Sequence, residues 1–377
     1  MQKSLNTTLV KERLAEYGLN QSNVSKELDV SREAVSQWFK NKVIPKPAKL
    51  LRLGKLLNLS YSDLITKKEY YEPQIAFRKV RNTKTKDSHI KRAKEMGYAL
   101  EQLVKYLPQE LMIKPPELKT PLNSYEYVQN VVKLIRDKFR ITDWEIKFTE
   151  VINIINDFNA ILIPVLLGAK KAHENALHIY LPESETTWIY INLDTKIFDF
   201  KFWLTHELGH ILSPSITGEK AEDFVDNFAG AFLFPKEIAE LKYKEIIQLR
   251  RKQERVNLII DIARELIISP ITILKEIEKY SNANNIKNID VGENFYASCT
   301  KFTNYYKLIS ENIFGLQKPN VENYITFSKD KFGTIFFDLL KKYNEEEGLT
   351  SGYIKTVLNL PPTDVKEIFS YLTNATD

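Results

Sequence analysis

One short run constrains this chain more than any other. Thr205-His206-Glu207-Leu208-Gly209-His210 lies inside the apolar stretch FKFWLTHELGHIL. Apolar residues at that density predict a buried helix. In a helix, residues i and i+4 share a face one turn apart. His206 and His210 therefore point the same way and can converge on one small cation at about 2.0–2.1 Å. Glu207 is offset from that pair. Its carboxylate can reach a water beside the cation without being a ligand, and a divalent ion brings the pKa of such a water towards roughly 7. This is the water-activating arrangement of a zinc hydrolase. Gly209 weakens a helix interior, so its presence predicts that another element approaches closely there.

A catalytic zinc site usually has three protein ligands and an open position. The next amphipathic segment, Glu219–Leu233, supplies acids. Glu222 and Asp226 share one face by the i, i+4 rule, and Glu219 and Asp223 share a neighbouring one. Glu222 is the favoured third ligand, with Asp226 as a partner that orients a ligating histidine. Acids also favour any helix N-terminus, so the residues alone leave the choice between Glu222 and Asp226 open.

The rest of the chain sets the frame. At 377 residues it is long enough for two or three compact domains. The single cysteine, Cys299, cannot staple a domain. The N-terminus has no apolar h-region, and no run approaches the roughly 20 apolar residues of a membrane span. The expectation is a cytoplasmic protein with no membrane partner. The net charge of +5 is concentrated: residues 1–60 carry 11 Lys or Arg against 5 Asp or Glu. An anionic partner should dock there.

Turn and cap signals divide the chain. Short helices are expected at Thr8–Tyr17, Gln21–Leu28, Arg32–Lys40 and Ala48–Leu57, with Ser31 as an N-cap and a last turn capped by Ser60 or Ser62. Residues 67–88 read as a polar linker that Phe77-Arg78 can anchor, and Lys91–Leu107 as a helix. Further helices are expected at Tyr125–Lys138 and over Trp144–Asn159, the latter as one helix or as a strand then a helix, and strands at Ala160–Leu167, Leu177–Leu181 and Thr187–Leu193. Beyond Pro235, helices dominate. The domain expectation is 1–68, a linker with a helix at 69–120, a metal-site domain at 121–245, a helical extension at 246–290 and a C-terminal helical domain at 291–377 without an assigned role. His173, His178, Tyr180 and Tyr190 flank or occupy the strands. Any of them could stabilise an oxyanion, but surface or core positions are the more ordinary reading.

Two resemblances sharpen these expectations. Residues 121–240 resemble the ImmA/IrrE metallopeptidases. The match is carried by Ile191-Asn192, by Phe202-Trp203-Leu204-Thr205-His206-Glu207-Leu208-Gly209-His210, by Glu222-Asp223-Phe224-Val225-Asp226-Asn227-Phe228-Ala229, and by Phe232-Leu233-Phe234-Pro235. The resemblance implies a small α+β zincin-like domain in which His206, His210 and Glu222 ligate Zn2+ and Glu207 is the general base. It also implies a narrow endopeptidase that cleaves a repressor-like protein, often in prophages. The family's Asn is Asp226 here, which keeps Asp226 as a rival ligand.

Residues 10–65 resemble the Xre-type, lambda-repressor-like helix-turn-helix. The resemblance is carried by Leu19-Asn20-Gln21, Val24-Ser25, Leu28, Val30-Ser31, Val35, Trp38, Lys42 with Pro45, and Leu57 with Leu59. Asp29 and Asn41 stand where the family has glycine, and both residue types tolerate left-handed backbone. This implies an all-α N-terminal domain that binds double-stranded DNA as a homodimer. Arg32, Glu33, Ser36 and Gln37 would read bases, and Gln21, Lys40 and Lys42 would contact phosphate. The chain is thus expected to be mainly α, a zinc endopeptidase fused to a DNA-binding domain. The rival reading is a transcriptional regulator or antitoxin-like component whose protease-like domain is a sensor or dimerisation platform.

Overall fold

The computed structural model describes residues 3–40, 42–67, 72–77, 87–166, 176–317, 319–359 and 362–374. Asn41, Arg78 and His173 lie outside them. The chain forms two compact units, Met1–Tyr71 and Glu72–Asp377.

In the first unit, β1 (Lys3–Leu5) leads into α1 (Thr7–Glu16), α2 (Gln21–Glu27), α3 (Arg32–Phe39), α4 (Pro47–Leu57) and α5 (Tyr61–Leu64), and β2 (Ile65–Lys67) follows. Short polar side chains start most of these helices. Asn6 accepts from Leu9 N, Asn20 from Ser22 N and Asn23 N, Ser31 from Ala34 N and Ser60 from Asp63 N. Such caps satisfy amides that a helix start otherwise leaves unbonded. Asp29 takes φ 50°, the left-handed turn expected of it. The core gathers Val10, Leu14, Val24, Leu28, Val35, Trp38, Leu53 and Leu57. One expectation is corrected: the unit is not all-α. β1 and β2 pair antiparallel, Leu5 opposite Ile65, because the chain returns to its start with exposed backbone that must find partners.

The second unit is built on a mixed four-stranded sheet. Its strands are β3 (Gln74–Phe77), β4 (Ile161–Val165), β5 (Ala176–Leu181) and β6 (Thr186–Asn192), in the order β3-β5-β6-β4. β4 runs parallel to β6, and the other pairs are antiparallel. The period of two divides the side chains between faces. Ile161, Ile163, Leu177, Ile179, Trp188 and Tyr190 enter one core, and Leu162, Ile189 and Ile191 enter the other.

Helices cover both faces. α6 (Asp87–Val104), α17 (Phe336–Glu347), α18 (Ser351–Leu358) and α19 (Pro362–Asn374) contribute to the first core. The opposite core takes residues from α7 (Tyr125–Lys138), α8 (Phe148–Asp157), α9 (Ile197–Leu212), α10 (Glu219–Leu233), α11 (Lys236–Gln248), α12 (Lys252–Leu266), α13 (Pro270–Ala283), α14 (Phe295–Tyr305) and α15 (Ile309–Phe314). α16 (Val321–Phe332) spans the two, with Tyr324 in one and Phe332 in the other.

Within the second unit, residues before 121 and after 245 are therefore structural partners of the sheet. The expected linker at 67–88 holds β3, which pairs with β5. The expected C-terminal domain supplies a lid: Tyr190 donates to Val357 O at 2.7 Å. A sheet with two apolar faces has to be covered twice, and the segment 121–245 cannot do both. Of the segment 144–159, expected as one helix or as a strand then a helix, only Phe148–Asp157 is helical, and Trp144 is exposed. Among the described residues, no helix is long and apolar enough to cross a membrane.

Lys201, on the helix that carries the histidines, is 1% exposed. Its Nζ donates to Leu266 O at 2.7 Å, at the end of α12. Burial lowers its pKa to about 8 from the ordinary 10.5. A depressed amine favours the fold most when it is neutral. That contribution is complete above pH 10.5 and is lost as pH falls through 8. The native chain should therefore gain about 3 kcal/mol relative to Lys201→Met between pH 8 and pH 10.5. Urea unfolding of both proteins at the two pH values measures this. A constant difference would mean that the ammonium is fully satisfied inside.

Candidate metal centre and nucleic-acid interface

α9 is buried along nearly its whole length, so its polar residues must be satisfied inside the protein. His206 and Glu207 are 0% and 1% exposed, and His210 is also buried. α10 packs directly on α9 at Gly209. A Cβ there would lie 2.9 Å from Cβ of Val225, closer than side chains tolerate. The glycine is thus the close approach that its position in the motif predicts.

This approach brings the acids of α10 to the histidines. Glu222 Oε1 is 3.4 Å from His210 Nε2, and Oε2 is 3.5 Å from His206 Nε2. One donor atom from each of His206, His210 and Glu222 falls within 4.8 Å of the others. Asp226 sits on the far side of the first imidazole, its Oδ1 2.8 Å from His206 Nδ1. With Nδ1 engaged there, Nε2 is the nitrogen that faces the cluster. Two imidazoles and a carboxylate are a donor set that zinc takes. His210 Nε2 is buried and makes no hydrogen bond, a state that a cation would relieve. The residues therefore fit a divalent ion.

The electrostatics suit the same use. Burial tends to raise the Glu222 carboxyl, but the two imidazoles overcome this and hold it down at about 2. Burial lowers His210 and favours the neutral ring that a metal needs. For Glu207, burial again opposes the charged form, and the surrounding histidines His178, His210 and His206 hold its pKa low all the same.

His178 is the residue that the sequence reading undervalued. It is buried, its Nδ1 is 3.3 Å from Glu207 Oε2, and its ring centroid is 5.3 Å from that of His210. Its signal was the strand period: Leu177, Ile179 and Leu181 enter the core on one face, so His178 and Tyr180 must face the other. Both line a cavity of about 490 Å³ that reaches His210 and Glu222. Gln74, Ile75 and Ala76 of the edge strand β3 line it as well. Tyr190 has no place there, since it serves the opposite core.

In the first unit, Arg32, Glu33 and Gln37 are exposed and Ser36 is half-buried, while Val35, Trp38 and Phe39 face the interior. The early turns of α3 thus present polar residues on one side. Gln21 opens α2, Lys40 ends α3, and Lys42 follows with its N–H on Gln37 O. Lys49 was not anticipated. Its Nζ donates to Leu28 O and Asp29 O, which ties α4 to the turn between α2 and α3.

A helix-turn-helix family model matches residues 10–64. The N-terminal unit is a helix-turn-helix domain, which supports a DNA-binding regulatory role. No curated protein and no solved structure matches the chain.

Proposed function

We propose that the second unit is a zincin-like, zinc-dependent endopeptidase of the ImmA/IrrE kind, joined to a sequence-specific DNA-binding domain, and that it cleaves a repressor-like regulatory protein. The observation that carries this reading is Glu207. It is buried one residue from His206 and stands outside the donor set of His206, His210 and Glu222. A purely structural metal site has no need of such a carboxylate.

A zinc ion held by those three residues supplies Lewis acidity, which polarises a carbonyl and makes a water easier to deprotonate. Glu207 takes the water's proton on a carboxylate oxygen and later delivers it to the departing amine nitrogen. His178 holds Glu207 in place from the β5 side. Asp226 fixes the tautomer and orientation of His206. The cavity lies beside β3, which among the described residues is an edge strand, and an extended segment of substrate can lie against it.

In the N-terminal domain, Arg32, Glu33, Ser36 and Gln37 read base edges in the major groove, and Gln21, Lys40 and Lys42 hold phosphates. Two copies on paired half-sites give the binding its strength. The helix-turn-helix match favours a second reading, a transcriptional regulator or antitoxin-like component in which the protease-like unit senses or dimerises.

Metal analysis together with a cleavage assay separates the two readings. Native protein should carry one zinc per chain, His210→Ala should carry none, and native protein should cut a repressor-like substrate. A native chain that refuses zinc in excess would end the enzymatic reading. Stoichiometric zinc without cleavage would move the weight to the regulator.

A further inference from the structure

The cavity of about 490 Å³ has His210 and Glu222 in its wall, so a group seated on a metal between them extends into it. Ala76 of β3, Ile90 of α6, and Pro214 and Ile216 of the segment after α9 supply apolar surface to the same wall. Ala76, Pro214 and Ile216 are half-buried and Ile90 is exposed. Each therefore keeps surface that a ligand can cover.

Strand register puts the smallest of these side chains beside the centre. Ala76 pairs with His178, and Gln74 with Tyr180. Residues directly opposite in an antiparallel pair share a face. Ala76 thus stands on the face of His178, whose ring centroid is 5.3 Å from that of His210. A larger side chain at 76 would fill space next to the imidazoles. The strand that carries Ala76 is a fixed wall. Pro73 is buried just before it. A Cβ on Gly97 of α6 would lie 2.5 Å from Cβ of Pro73, and Lys94 of α6 pairs with Glu72.

Space at the centre is unequally divided. His178, Tyr180 and His210 also border a cavity against Pro115 and Glu117, but its volume is about 10 Å³, room for about one water. A side chain fits only in the larger one. Charge narrows the choice. Among the described residues, that wall holds the carboxylates of Glu219 and Glu222 and no lysine or arginine, which disfavours an acidic side chain.

We propose that this cavity selects the substrate by taking one leucine- or phenylalanine-sized apolar side chain next to the scissile bond, with Ala76 setting the room available. This rests on the peptidase reading and names the residue class that the site prefers.

The test uses the full zinc-loaded chain and hydroxamates, which chelate zinc and carry one variable tail. Titration calorimetry reads their binding. Isovalerohydroxamate and hydrocinnamohydroxamate have apolar tails, succinic monohydroxamate an acidic one and aminohexanohydroxamate a basic one, with acetohydroxamate as reference. At least one apolar tail should bind roughly tenfold or more tighter than acetohydroxamate. The acidic tail should gain nothing. Ala76→Phe should remove the apolar gain, and Ile216→Ser should cut it by roughly threefold or more. Zinc content by mass spectrometry checks each variant, and Ile216→Ser decides if Ala76→Phe holds no metal. The proposal is overturned if acetohydroxamate binds and the apolar tails add nothing, if the basic tail binds as tightly, or if the gain survives in the zinc-loaded variants. Failure of the peptidase reading looks different: the chain takes no zinc, or binds no hydroxamate at all, and the proposal falls with it.

Discussion

A Glu207→Gln protein should carry zinc as the native chain does and turn over its substrate slower by roughly 10²–10⁴-fold, the usual contribution of a positioned general base. The two properties separate because the donor atoms and the base come from different residues. His206, His210 and Glu222 form the cluster, and Glu207 lies beside it. Glutamine has the same shape, so the buried position beside His178 stays filled, but it cannot accept a proton. Metal content by mass spectrometry and cleavage of a repressor-like substrate measure the two halves. Loss of zinc together with activity would mean that Glu207 is a ligand, and the proposed roles would need redrawing. Full activity would remove the mechanism altogether.

Trp38→Ala should unfold the N-terminal domain and abolish DNA binding while leaving the metal centre intact. Trp38 is buried on the inner side of α3, and truncating a core tryptophan costs about 3–5 kcal/mol. A unit of some 70 residues rarely has more than about 3–5 kcal/mol to lose. Among the described residues, the core around Trp38 is formed by residues between Leu5 and Ile65. The cores of the second unit begin at Ala93. The expected record is loss of binding to a duplex at low salt with unchanged zinc content. Native duplex affinity in this variant would show that α3 is not the binding element. Loss of zinc would show that the two units depend on one another for folding.

Much of this organisation was readable from local chemistry. The helix end at Ser31, and the last turn at Ser60 or Ser62, follow from side chains that cap their own backbone a few residues on, an interaction that needs no tertiary partner; the structure adds the cap at Asn20 and selects Ser60. Glu219–Leu233 and Tyr125–Lys138 were visible for a similar reason, as apolar stripes at helical period. Gly209 could be read as a contact point because glycine inside a buried helix has few other uses.

What stayed hidden depends on residues distant in the chain. β3 is four residues in a polar stretch and becomes a strand because β5 offers it an edge. Its pattern carries no period to detect. Gly230 of α10 lies against Glu276 of α13, 46 residues further along the chain, and neither suggests the other.

The amino-acid order by itself determined which side chains share a helical face: the two imidazoles, the offset glutamate and the paired acids. It did so because helical geometry is local and repeats every turn. Only the tertiary structure decided that Glu222 stands between the imidazoles, that Asp226 turns to His206 Nδ1, and that His178 closes on Glu207. Those relations depend on how closely α10 and β5 pack on α9, which is set by side-chain volume at positions such as Gly209 and Val225.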